Sequence, residues 1–188
     1  IEGYFTLDDE WLPIQDSLVE GLVKTIMEST EILLEKPQDY NGRATLMWAA
    51  SLAWNGLATA GVGGASVPNH MFAHVLGAFY DIAHGAALSI IIPAWMKYKY
   101  KEKAERFSRF AQNVFGIYKE NLEENALSCI EALEKWYKKI KSPTSFKDAG
   151  IPKEDIEDMA KSVFELSKIW NIKGYTVSVI KDILKLCV

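Results

Sequence analysis

The sequence is short of most features that would declare a specialised protein. Two cysteines in 188 residues, Cys129 and Cys187, are too few and too far apart for a disulfide framework. A reduced, cytoplasmic setting is the expectation that fits. No charge of one sign dominates: 21 Lys+Arg stand against 25 Asp+Glu, for a net charge of −4. That balance argues against nucleic acid or an anionic membrane surface as the main partner. Long apolar runs are also missing. The stretch 86–96 is interrupted by Ser89 and Pro93 and reaches only about half of a ~20-residue membrane span. No signal-peptide pattern, internal repeat, low-complexity tract or sustained period-2 alternation is visible, which leaves no sequence support for strands or for a linker between domains. The chain opens on Ile1-Glu2-Gly3, without a methionine.

What the chain does have is helix. Apolar residues make up 49%, charged 24% and aromatic 12%, a globular balance long enough to enclose a sizeable core. Leu18, Val19, Leu22, Val23, Ile26 and Leu33 recur at helical spacing over 17–35, and Lys36-Pro37 follows as a stop. Asn41 is placed to cap a second helix over 43–60, whose thin polar face predicts burial on most sides. The glycine-rich 61–68 reads as a loop. A short helix over 69–78, a turn or cap over 81–84 and an apolar helix over 85–98 come next, with Pro93 expected to kink or divide the last. Amphipathic helices follow over 101–115, 122–140, 153–167 and 176–187. Asp148-Ala149-Gly150-Ile151-Pro152 marks a stop and restart. The fold class is therefore all-α: a single multi-helix domain over 1–188, with seven to nine helices.

Chemistry concentrates in one place. All three histidines, His70, His74 and His84, lie within 15 residues. His70 and His74 are one helical turn apart and share a face. A break near Asp81 would let a restarting helix bring His84 to the same point. Imidazole is a common ligand for zinc, iron and related divalent ions. The plainer alternative is a helical interaction module whose histidines are structural. A metal-dependent hydrolase or lyase ranks third, since it would need carboxylates near the cluster and only Asp81 is available, at a position that suits a turn or cap. A His-Glu-x-x-His protease is excluded, because Met71, Phe72 and Ala73 follow His70.

Other features are expected to be structural. Gly61-x-Gly63-Gly64 has neither a preceding strand nor a following Lys-Ser/Thr, and reads as a connector rather than a phosphate loop. Lys97, Lys99, Lys101 and Lys103 alternate with tyrosines but share their stretch with Glu102 and Glu105, as a solvated helix face would. Trp48, Trp54, Trp95, Trp136 and Trp170 are expected to pack between helices. Cys129 has no ligand-like neighbour and reads as inert.

Asn69-His70-Met71-Phe72-Ala73-His74-Val75-Leu76-Gly77-Ala78-Phe79-Tyr80-Asp81-Ile82-Ala83-His84-Gly85 resembles the signature of the iron-containing (group III) alcohol dehydrogenases. The spacing His-x3-His-x9-His-Gly matches throughout, as does the apolar segment ending in Pro93-Ala94-Trp95-Met96-Lys97-Tyr98. Trp48-Ala49-Ala50-Ser51-Leu52-Ala53-Trp54-Asn55-Gly56 is similar to the helix that precedes the signature in the butanol dehydrogenase branch. The resemblance is dense over 47–98 and looser afterwards.

The resemblance implies a two-domain oxidoreductase in which this chain is the C-terminal helical, metal-binding part and an N-terminal nucleotide-binding α/β domain is absent. It implies a metal in the cleft between the domains, held by an aspartate and three histidines. Carried over by position, His70 and His84 would be metal ligands. His74 would be the catalytic, non-ligand histidine near nicotinamide and substrate. Implied cofactors are a divalent metal, iron first and zinc as the alternative, and NAD or NADP. The implied reaction interconverts a small alcohol and its aldehyde or ketone. Ile1-Glu2 looks like the end of an Asp-Ala-x-x-His-Ala-Ile-Glu motif, whose histidine and aspartate would lie two and six residues before Ile1. The chain alone is then expected to bind metal weakly, to be inactive, and to self-associate as a homo-oligomer through apolar surface such as 43–60. A partner for the far ring nitrogen of each ligand is expected, without a residue to assign to it.

Overall fold

In the computed structural model, which describes residues 1–7 and 11–188, prolines and short polar side chains set where the helices begin. Helix α1 is a short piece, Glu2–Thr6. Pro13 opens α2 (Pro13–Glu35), four residues ahead of the expected start at 17, because a proline's missing N–H costs nothing in a first turn. Helix α3 (Tyr40–Trp54) is capped by Asp39, whose carboxylate accepts the Gly42 N–H at 2.7 Å. The expected cap, Asn41, instead lies inside the helix. Gly56, at φ 88°, then turns the chain into a short 3-10 segment, Leu57–Thr59, so the helix expected over 43–60 ends early.

The loop over 61–67 leads into α4 (Pro68–Tyr80), again opened by proline. Helix α5 (His84–Lys99) takes in His84, which the sequence had placed in a turn, and it is not divided at Pro93. A 3-10 segment, Tyr100–Lys103, joins it to α6 (Ala104–Phe115). Asn121 and Thr176 accept N–H bonds from Glu124 and Val179 to cap α7 (Leu122–Lys139) and α9 (Val177–Lys185). Between them α8 (Ile156–Ile169) follows a 3-10 turn, Lys153–Asp155. No strand occurs among the described residues, as the missing alternation required.

The core forms around α5, which packs against α4, α7 and α9. Every residue from Ser89 to Met96 is buried, so this helix has no solvated side over two turns. Helix α8 closes over α4 and α9, while α6 bridges α7 and α2. Met71, Phe72, Ile90, Ile91, Met96 and Ile130 are all at most 1% exposed. Helix α3 fares differently. It packs on α2, buries only Gly42 and Ala49, and leaves Met47 71%, Trp48 67% and Trp54 77% exposed. The expectation that this segment is buried on most sides is therefore overturned. So is the expectation that Trp48 and Trp54 pack between helices. A thin polar face says that a helix lacks charge, not that a neighbour is available to cover it.

Helix α1 is fixed by aromatic and ionic contacts to α2 and α6. Phe5 stacks on Phe107 with centroids 4.3 Å apart, and Tyr4 meets Phe110 edge-on at 5.2 Å. The Tyr4 hydroxyl donates to Glu20 at 2.8 Å. Arg106 lies over the Tyr4 ring, donates to the Tyr4 carbonyl, and pairs with buried Asp16 at 2.6 Å. Arg109 pairs with Glu20 at 2.7 Å, and Asn113 donates to the same carboxylate at 3.0 Å. Buried carboxylates are tolerable here because each finds a guanidinium and further donors. This network holds α1 against the body of the domain and so decides where Glu2 points.

Lys97 and Lys99 pair with Glu134 and Glu102 at 2.6 and 2.9 Å, and Lys101 lies 3.8 Å from Glu123, which leaves a mixed-charge face rather than a basic patch. Cys129 and Cys187 are free and buried, and burial pushes the Cys129 thiol up to about 12. Such a thiol is inert. No helix among the described residues is long and apolar enough to cross a membrane.

Candidate metal centre

The histidine cluster is built by one interrupted pair of helices. His70 is the third residue of α4, so its ring emerges from the first turn, and His74 follows one turn later on the same face. The interruption comes from Asp81, which adopts left-handed backbone at φ 51° and ψ 32° while its N–H donates to the Gly77 carbonyl at 3.0 Å. Aspartate is one of the few non-glycine residues that accept this conformation at a helix end. Asp81 thus serves as the helix terminator. Three residues later His84 opens α5, which packs on α4, and its ring comes to rest against both others. The centroids lie 5.2 Å apart for His70 and His84, and 5.5 Å for His74 and His84.

The three imidazoles, with Trp54 and Leu88, line an open cleft of about 710 Å³. Trp54 stacks on the His70 ring at 5.9 Å and 22°, and Trp170 meets the His74 ring edge-on at 5.3 Å and 86°. A larger cavity of about 880 Å³ lies beside it, lined among others by Phe5, Trp95, Lys99 and Tyr175. It contains no histidine and adjoins the cleft through Trp170, so the imidazole cluster belongs to the smaller space.

The two faces of His70 are treated differently. The Glu2 carboxylate, only 6% exposed, receives the Asn69 backbone N–H on Oε1 and lies 2.5 Å from His70 Nδ1 through Oε2. The other ring nitrogen, Nε2, has no hydrogen-bond partner among the described residues, and the ring lines the cleft. At His84, desolvation and then the neighbouring His70 and His74 hold the imidazole below its ordinary value, which favours the neutral, lone-pair-bearing form. Neutral imidazoles suit iron(II), zinc and similar ions. In kind, then, these donors fit a divalent metal. In number they fall short: among the described residues no group of three or more His, Cys, Asp or Glu is arranged to hold one.

The structure brings together His70, His74 and His84, which spacing had singled out. Sequence reading had not assigned Glu2 to His70, nor foreseen Trp54 and Leu88 on the walls and Trp170 against His74. The available signal for Glu2 was an acidic residue in an otherwise apolar opening, Ile1-Glu2-Gly3-Tyr4-Phe5, a pattern that predicts a buried carboxylate with specific partners.

Known proteins resemble this chain in sequence and in fold. The sequence profile of the Fe-containing alcohol dehydrogenase family, C-terminal, matches residues 1–188. The chain is 37% identical over 177 residues to NADH-dependent butanol dehydrogenase B of Clostridium acetobutylicum, covering 92% of this chain and 45% of that protein. It is 32% identical over 152 residues to the NADPH-dependent aldehyde reductase YqhD of Escherichia coli, covering 81% and 39%. The crystal structure of NADH-dependent butanol dehydrogenase A from Thermotoga maritima superposes with a TM-score of 0.92 at 42% identity, covering 100% of this chain and 48% of that one. The chain spans less than half the length of each of these relatives. With a profile matched from end to end and a fold shared with a solved butanol dehydrogenase, the chain belongs to the Fe-containing alcohol dehydrogenase family, as its C-terminal helical domain.

Proposed function

We propose that this chain is the metal-binding half of an NAD(P)-dependent alcohol dehydrogenase that interconverts small alcohols and their carbonyl products. The observation that carries the reading is the convergence of three imidazoles on one cleft while Glu2 occupies His70 Nδ1. His70 and His84 are the ligands this chain contributes. Bound there, a divalent ion supplies a Lewis acid for an alcohol or carbonyl oxygen. The nicotinamide supplies the hydride chemistry. The described residues build no strand–helix–strand unit to hold a dinucleotide, so an N-terminal nucleotide-binding domain and the remaining metal ligands would complete the enzyme, in keeping with relatives more than twice as long.

The chain's own side chains divide the remaining work. His74 is exposed to the cleft and steadied by Trp170 rather than by a carboxylate. In that place it orients the substrate hydroxyl or relays its proton to water. Trp54 and Leu88 give the cleft an apolar wall beside the imidazoles, suited to an aliphatic substrate chain and to keeping water away from the reacting carbon.

Metal analysis of the complete enzyme tests this reading. His70→Ala and His84→Ala should each strip iron or zinc from the purified protein and abolish butanol oxidation with NAD or NADP. His74→Ala should keep the metal and lower kcat. Unchanged metal content in both ligand variants would instead make the histidines structural. Turnover at normal rates by the 188-residue chain alone would overturn the division of labour between two domains.

A further inference from the structure

We infer that Glu2 is a positioning residue that fixes the tautomer of His70, presenting Nε2 as the unprotonated nitrogen that faces the cleft. Donors and acceptors around the Glu2 carboxylate fix the choice. Oε1 of Glu2 accepts the Asn69 backbone N–H, which is a donor only. Oε2 lies 2.5 Å from His70 Nδ1. A carboxylate has no proton to give, so the ring satisfies that contact only by carrying its hydrogen on Nδ1. The lone pair then lies on Nε2. The carboxylate is held in place from behind by α1, through the Phe5–Phe107 stack and the Tyr4–Glu20 and Arg106–Tyr4 bonds. On the cleft side, Trp54 lies nearly parallel to the same ring.

This arrangement needs an acceptor at both carboxylate positions. A glutamine provides one. If its carbonyl keeps the Asn69 N–H, its amide faces Nδ1 and drives the ring's hydrogen to Nε2, the nitrogen a metal would need. If it turns over, two donors confront each other at Asn69. Glu2→Gln is therefore a near-isosteric change that inverts the chemistry at His70 and leaves the packing of α1 alone. The consequence for metal binding rests on the metal site proposed above; the hold on the ring does not.

Long-range nitrogen–proton NMR on the metal-free 188-residue chain reads the tautomer directly, with His74 as an internal comparison. Wild-type His70 should show the Nδ1–H form, and Glu2→Gln and Glu2→Ala should lose it while His74 is unaffected and helix content by circular dichroism is unchanged. In the complete enzyme, cobalt(II) binding should weaken about 10- to 100-fold in Glu2→Gln, the range seen when partners of ligating histidines are removed. Glu2→Asp, which keeps two acceptors, should recover part of that loss. Wild-type His70 in the Nε2–H form would overturn the assignment without any variant having to fold. An unchanged tautomer in Glu2→Ala, which removes both acceptors, or cobalt(II) affinity of Glu2→Gln within twofold of wild type, would overturn it as well. If the complete wild-type enzyme fails to bind cobalt(II) while the tautomer shifts as expected, the metal site falls and the role of Glu2 on the ring stands.

Discussion

Helices α3 and α5 are both rich in alanine, tryptophan and aliphatic residues, and both carry few charges, yet the fold gives them opposite surroundings. Helix α5 runs between α4, α7 and α9 and buries every side chain from Ser89 to Met96. Helix α3 rests on α2 and turns Met47, Trp48 and Trp54 outward. Composition sets what a helix would gain by burial. The number of neighbours around it sets what it does gain, at about 25 cal/mol for each Å² of apolar surface removed from water. The comparison also separates two ways in which the domain is held together. Around α5 the glue is close-packed hydrocarbon. The α2–α3 pair is joined to α6 through ion pairs, the buried carboxylates of Asp16 and Glu20 against Arg106 and Arg109.

Cutting the ionic joint should have the largest effect on stability. Asp16→Ala leaves Arg106 without its main carboxylate in a site where that guanidinium is 9% exposed. Equilibrium urea unfolding should show a loss of about 3–5 kcal/mol, since an unpaired buried charge costs more than a lost contact. A loss under 1 kcal/mol would mean that the α2–α6 joint is held by packing alone.

Next in size is a cavity on the α5 side. Ile91 is fully buried, and Ile91→Ala should cost about 2–5 kcal/mol by the same measurement, from lost transfer energy and an incompletely collapsed void. Smaller is the effect of removing the cap on α3. Asp39→Ala should cost about 1 kcal/mol and speed amide exchange in the first turn of α3, near Gly42, while leaving α5 protected.

Smallest is a change on the exposed face itself. Trp48→Ser should shift stability by no more than about 0.5 kcal/mol, because a side chain 67% exposed loses little packing. A shift comparable to that of Ile91→Ala would show that α3 is covered in solution, and the contrast between the two helices would dissolve.

Much of the candidate site was legible because its geometry is local. A four-residue separation puts His70 and His74 on one face, and Asp81 ends the helix by a conformation that aspartate tolerates. A restart three residues on is then enough to bring His84 within ring contact. Helix ends were less legible where two residues compete to cap. Asp39 and Asn41 are both good caps, and Asp39 prevails by accepting the Gly42 N–H, which lets α3 begin before Asn41. The aromatic neighbours of the histidines were not legible at all. Trp54 arrives from the far end of α3 and Trp170 from beyond α8, and no spacing rule links either to the histidines.

By itself, then, the sequence determined the all-α class, most helix spans and the three-histidine cluster, since periodicity, caps and turns act over a few residues. Tertiary structure decided which apolar helix became the core and which kept its tryptophans in solvent. It also decided that a carboxylate 68 positions away would sit on His70. Those outcomes depend on which surfaces meet after the chain has closed long loops, and no local pattern encodes the partner.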